Sequence, residues 1–197
     1  MKTFFIGIAL LPLFSSPSGI KYIAVRALQT DTITAYYVTT AELKSDSIPD
    51  SVFKMANLKH LSVQGMDCDY KTINDLGKDI TKCWDLNEIP PQIKNLKKLE
   101  SLRLNVNNIQ KIPAELKELK NLIALDLTDN PALTNIDYIT ALVNLEHLSL
   151  FGCGLTKLPA DIGKLKKLKT LGLTGNTINS AEIKRVKKAL PNCKVIF

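Results

Sequence analysis

Four stretches of this chain share one skeleton: "LESLRLNVN" from Leu99, "LIALDLTDN" from Leu122, "LEHLSLFGC" from Leu145 and "LKTLGLTGN" from Leu168. Each has leucine at its first, fourth and sixth places, and three of the four end in Asn. The starts are evenly spaced, since 122 − 99, 145 − 122 and 168 − 145 all equal 23. A fixed period of this length constrains the fold more than any local propensity. One unit cannot bury its apolar face alone, so successive units must stack.

The alternating leucines within each copy read as a strand that buries one face. Parallel strands about 4.8 Å apart join those leucines into one continuous core. The return segment "IGKLKKL" places Ile162, Leu165 and Leu168 at steps of three, one face of a short helical turn packed behind the sheet. Pro113 and Pro159 suit the start of such a turn, where a missing N–H matters little. The ninth-place Asn is placed to bond the backbone of the bend that follows each strand.

Weaker copies extend the pattern. Leu58, Leu61 and Val63 stand in "LKHLSVQGM", and Ile33, Tyr36 and Val38 in "ITAYYVTTA", which reads as a capping strand within residues 30–43. "LPNCKV" sets Leu190, Cys193 and Val195 on the same template, 22 residues beyond Leu168. Seven strands are expected. Residues 180–197 read as a C-terminal cap: Ser180 as N-cap, a helix burying Ile183, Val186 and Leu190 and exposing four cations, then a closing strand.

L-x-x-L-x-L-x-x-N at this period resembles the leucine-rich repeat, over roughly residues 30–197. The unit "LTKLPADIGKLKKLKTLGLTGN" is similar to the 23-residue subtype L-x-x-L-P-x-x-I-G-x-L, found in bacterial-type secreted proteins. The resemblance implies an α/β solenoid, a curved right-handed β-α superhelix with a parallel sheet on the concave face and short helical turns on the convex face. It also implies binding of other macromolecules on the concave face, without naming them.

The period breaks once. From Leu58 to Leu99 the step is 41, an excess of 18 over 23, which places an inserted loop near residues 67–83. Cys68 and Cys83 flank it, and a disulfide between them would stabilise by about 3 kcal/mol in the chain-entropy model. Two free thiols are the alternative. Cys153 takes the ninth place, where the resembled family often accepts Cys for Asn, and Cys193 the core-facing fourth.

The first residues, "MKTFFIGIALLPLFSSPSG", have a lysine, an apolar run and small polar residues, the layout of a signal peptide over residues 1–27 with cleavage between 16 and 27. An uncleaved anchor is the alternative. Residues 28–197 then form the repeat domain. No cysteine precedes Cys68, so a lipid anchor on an N-terminal cysteine is not expected. The expected location is secreted, periplasmic or cell-surface. Loss of Lys2, Lys21 and Arg26 takes the formal charge from +7 to 26 − 3 − 19 = +4.

The variable places of the motif form columns on the concave face. Ser149, His147 and Asp126 invite reading as a catalytic triad, but two strand intervals set His147 and Ser149 about 6–7 Å apart, beyond hydrogen-bond reach. Arg103 should pair with Asp126 on the neighbouring strand. His60 and His147 stand three strands apart, about 14 Å, too far to share a metal. Neither catalysis, a metal nor another cofactor is expected. The lysine clusters lie on return segments with few aromatics, which argues against nucleic acid. The expected contact patch is Arg103, Asn105, Asp126, Thr128, His147, Ser149 and Phe151, presented by a monomer to a protein or peptide, with Phe151 as an exposed anchor. A polysaccharide-binding or structural envelope protein is the alternative.

Overall fold

The computed structural model describes residues 33–65 and 85–197. Its strands are β1 (Ala35–Thr39), β2 (His60–Gln64), β3 (Ser101–Arg103), β4 (Ala124–Asp126), β5 (His147–Ser149), β6 (Thr170–Gly172) and β7 (Lys194–Ile196). They form one parallel sheet in chain order, on the concave side of a solenoid. The fourth-place residues Leu61, Leu102, Leu125, Leu148 and Leu171 lie side by side in register. They and the sixth-place Leu104, Leu127, Leu150 and Leu173 are buried. Each contributes about 2 kcal/mol of transfer free energy.

The convex side is built from 3₁₀ turns at Val52–Lys54, Pro91–Asn95, Ala114–Glu118, Asp137–Ala141 and Ile162–Lys164. Three-residue apolar spacing suits a helix with three residues per turn, because side chains at i and i+3 align. Thus Leu116, Leu119 and Leu122 are buried, as are Ile162, Leu165 and Leu168. Pro113 and Pro159 open two of these turns, their carbonyls accepting from Leu116 N and Ile162 N, each at 3.1 Å.

The ninth-place Asn forms a ladder along the bend. Asn130 Nδ2 donates to Leu104 O and Leu127 O, both at 2.9 Å, and its Oδ1 accepts from Ile109 N at 3.0 Å. Asn176 repeats the scheme with Leu150 O, Leu173 O and Leu155 N. Cys153 keeps half of it, with Sγ 3.1 Å from Leu127 O and 3.4 Å from Phe151 O. It has no acceptor to offer the preceding loop. That loop does not need one, because Leu133 N bonds Asn130 O within its own turn. Burial pushes the Cys153 thiol up to about 12.

The same ladder locates the insertion. Asn107 Nδ2 reaches Val63 O at 3.0 Å, and its Oδ1 accepts from Leu86 N at 2.9 Å. Leu86 thus occupies the place of Ile109 and Leu155, so the 18 extra residues fall between Gly65 and Leu86. The pairing of His60 with Ser101 and Leu61 with Leu102 crosses the 41-residue step without slipping. The leader expected at residues 1–27, the insertion 67–83 and the pairing of Cys68 with Cys83 lie outside the described residues.

The C-terminal cap corrects three expectations. Besides the single-turn α1 (Thr40–Leu43), the helix α2 spans Ser180–Ala189, but its N-cap is Asn179, whose side chain accepts from Glu182 N at 2.9 Å. Val186 and Leu190 are buried, whereas Ile183 is only half-buried. The last strand also sits two residues away from its expected register: Thr170 pairs with Lys194 and Leu171 with Val195. Val195 therefore holds the fourth place, and Cys193 is half-buried ahead of it, its thiol pushed up to about 11 by burial. An α-helix rises about 1.5 Å per residue against about 2.0 Å for a 3₁₀ turn, so more chain is needed to cross the back of the last unit.

Candidate functional site

Side chains at the third and fifth places of each strand project from the concave face, because strand residues alternate between the two sides of a sheet. The fifth-place column runs Ser62, Arg103, Asp126, Ser149 and Gly172 in strict register. Arg103 Nε lies 3.5 Å from Asp126 Oδ2, giving the expected ion pair, and both side chains are partly screened from solvent. Asp126 Oδ1 accepts from Thr128 N at 3.0 Å, which fixes the carboxylate from its other side. Thr128 Oγ1 and Ser149 Oγ lie 2.7 Å apart.

Ser149 is fully buried, which corrects its expected place among the contact residues. It lies beneath the surface and holds Thr128. His147 turns the other way, with Nδ1 2.8 Å from Thr170 Oγ1. Ser149 and His147 thus have separate partners, one just beyond β4 and the other on β6. Burial holds the His147 imidazole below its usual range, an effect that Glu146 opposes and Lys169 reinforces. The shift favours the neutral ring.

Phe151 is half-buried rather than an open anchor. Its ring lies over Gly172: a Cβ added at Gly172 would fall 2.5 Å from two ring carbons. The absent side chain of Gly172 thus makes the seat for the ring, and only the outer part of Phe151 is available to a partner. Asn105 Oδ1 is buried and meets no donor among the described residues. The backbone carbonyl of Asn105 accepts from Gly65 N at 3.0 Å, which sets this side chain beside the root of the insertion. Ala124, small and between these groups, leaves a shallow depression lined by Ser101, Arg103, Asp126 and His147.

Six of the seven expected patch residues thus share one concave surface, spread over β3, β4, β5 and the turns that follow them. Sequence reasoning missed Thr170 and Gly172 as partners of His147 and Phe151. The column assignments held the signal for Thr170, which stands beside His147 in the next copy, but not for Gly172, which pairs with Ser149 and lies diagonally from Phe151.

Residues 97–155 match the family model for leucine rich repeat, and residues 143–184 match a model of leucine rich repeats in two copies. These residues are leucine-rich repeats. No curated protein matches the chain. A leucine-rich repeat protein of Leptospira interrogans is similar in structure, with 30% identity, a TM-score of 0.63, and coverage of 77% of this chain and 34% of that one. A plant peptide hormone receptor, RGFR1, solved in complex with RGF2, has 25% identity and a TM-score of 0.53 over 86% of this chain and 25% of its own. An internalin of Listeria monocytogenes shares the fold at 19% identity and a TM-score of 0.54, over 85% of this chain and 48% of its own. This chain spans about a third, a quarter and a half of their respective lengths. Among the described residues, no helix is long and apolar enough to cross a membrane.

Proposed function

We propose that this chain is a non-catalytic binding module that acts outside the cytoplasm as a monomer and takes a protein or peptide on its concave face. The observation that carries this reading is the strip formed by Arg103, Asp126 and Thr128. It is charged, held by bonds on both sides and in register across adjoining strands. A surface ordered before binding loses little side-chain entropy when a partner arrives. Asn105, His147 and the outer part of Phe151 border the strip. The complex of the plant receptor with RGF2 supports a peptide as one class of partner. The apolar run of residues 4–14 supports export.

Selection of a random-peptide display library on the immobilised chain tests the reading. Peptides recovered on the parent should lose at least about tenfold in affinity for Arg103→Glu, since a central charged contact is reversed. Equal affinity for Arg103→Glu and Phe151→Ala would remove the patch from consideration. Hydrolysis of ester or peptide substrates that disappears in Ser149→Ala would overturn the non-catalytic reading.

A further inference from the structure

The basic residues are not spread evenly around the solenoid. A two-residue turn precedes each of four strands: Lys97-Lys98, Lys120-Asn121, Val143-Asn144 and Lys166-Lys167. All five lysines of these turns are exposed. Because the strands stack in register, the turns line up along one rim, at the N-terminal ends of the strands. Rungs of hydrogen bonds hold them there. Asn121 Nδ2 and Asn144 Nδ2 donate to Lys97 O and Lys120 O, each at 2.8 Å, and Lys167 Nζ donates to Asn144 Oδ1 at 2.7 Å.

The carboxylates on this rim are already engaged: Glu100 by Lys59, Glu118 by Lys97 and Glu146 by Lys169. Lys98, Lys120, Lys166 and Lys167 are not in any ion pair among the described residues. The opposite rim has a different balance, with Lys111 and Lys157 standing among Asp85, Glu88 and Asp129.

Two aliphatic side chains interrupt the basic rim at its centre. Val143 occupies the turn place held by Lys97, Lys120 and Lys166 in the other units, and it is 50% exposed. Ile123 occupies the place held by Lys59, Glu100, Glu146 and Lys169, and it is 39% exposed. Lys120 and Lys166 flank Val143 in its column, and Ile123 stands between Glu100 and Glu146, each neutralised by its own lysine. An anionic polymer would complement the charge but offer nothing to Ile123 and Val143. An anionic bilayer complements both, with headgroups for the ammonium groups and acyl chains for the aliphatic tips.

We infer that this rim docks the module on an anionic lipid surface, with Ile123 and Val143 entering the headgroup region and the concave face left open at right angles to the bilayer. The inference is independent of what the concave face binds.

Lysine acetylation footprinting of the full chain tests it, using phosphatidylcholine vesicles with and without phosphatidylglycerol. With phosphatidylglycerol, modification of Lys120, Lys166 and Lys167 should slow by about threefold or more, while Lys111 and Lys157 keep their rates. In the double variant Ile123→Ser/Val143→Ser that protection should fall, and in Arg103→Glu it should persist. Insertion of the leader alone would leave the rim lysines unprotected and so overturn the inference. Equal protection of both rims would overturn it too, as would protection by soluble dextran sulfate but not by vesicles. Loss of protection in Arg103→Glu would mean that the concave face, not the rim, meets the lipid.

Discussion

Two places in each repeat do conformational work that side-chain chemistry alone does not reveal. At the eighth place the chain turns left-handed: Val106 and Asp129 have φ of 55°, Gly152 61° and Gly175 78°. A branched residue such as Val106 is rarely found there, so this bend is held by what surrounds it. Gly65 holds the same place for a different reason, since a Cβ there would fall 1.6 Å from Val106 O. At the ninth place Asn satisfies carbonyls of two units and an N–H of the preceding loop. Asn130→Ala should lower stability by about 3 kcal/mol, because Leu104 O, Leu127 O and Ile109 N all lose their side-chain partner. Cys153→Ala should lower it by about 1 kcal/mol, since a thiol is a weak donor and orphans no N–H. Urea unfolding of the two variants checks the ranking, and equal losses would contradict it. The leucine places and the Asn ladder were legible because each recurs. The left-handed place was not, because Val106 and Asp129 hide a requirement that Gly152 and Gly175 display. Ser149 was misread because alternation gives the side of the sheet but not what lies on top.

Among the elements, the cap depends on a contact that the repeat template does not contain. Glu182 Oε1 accepts from Leu158 N at 2.8 Å, and Arg185 binds Glu182 while donating to Leu158 O, Pro159 O and Ala160 O. α2 is thereby tied to the start of the preceding 3₁₀ segment, and Arg185 is not the exposed cation that its place in the sequence implied. Arg185 beside Glu182 holds that carboxyl below the usual carboxylate range, and the Leu158 N–H adds to the effect. A depressed carboxyl stabilises the fold above its unfolded pKa, about 4.3, and that contribution is lost as pH falls through the folded value. Glu182→Gln should therefore lower stability by about 1 kcal/mol at neutral pH, with the difference from the parent shrinking as the parent's carboxyl becomes protonated. Urea midpoints of both proteins from neutral into acid pH test this. A difference independent of pH would mean that the pair does not act through charge. The two-residue register shift of β7 was illegible for a related reason: spacing fixes strands only while every return segment has the same rise per residue, and α2 does not.

At the scale of the whole molecule, one spine of leucines joins units that each contact only their neighbours, so the fold is insensitive to what lies between two anchored points. Gly65 and Leu86 are such points, tied to Asn105 and Asn107 of the next unit. Deleting residues 67–84 removes 84 − 67 + 1 = 18 and restores the 23-residue step. Loop-closure entropy changes slowly with length, so the deletion should alter stability by no more than about 1 kcal/mol and leave a single cooperative melt. A shift to multistep unfolding would show that the segment belongs to the core. The junction then behaves as a socket: length, composition and cargo can change there over evolutionary time, or by design, while the neighbouring scaffold keeps its dimensions.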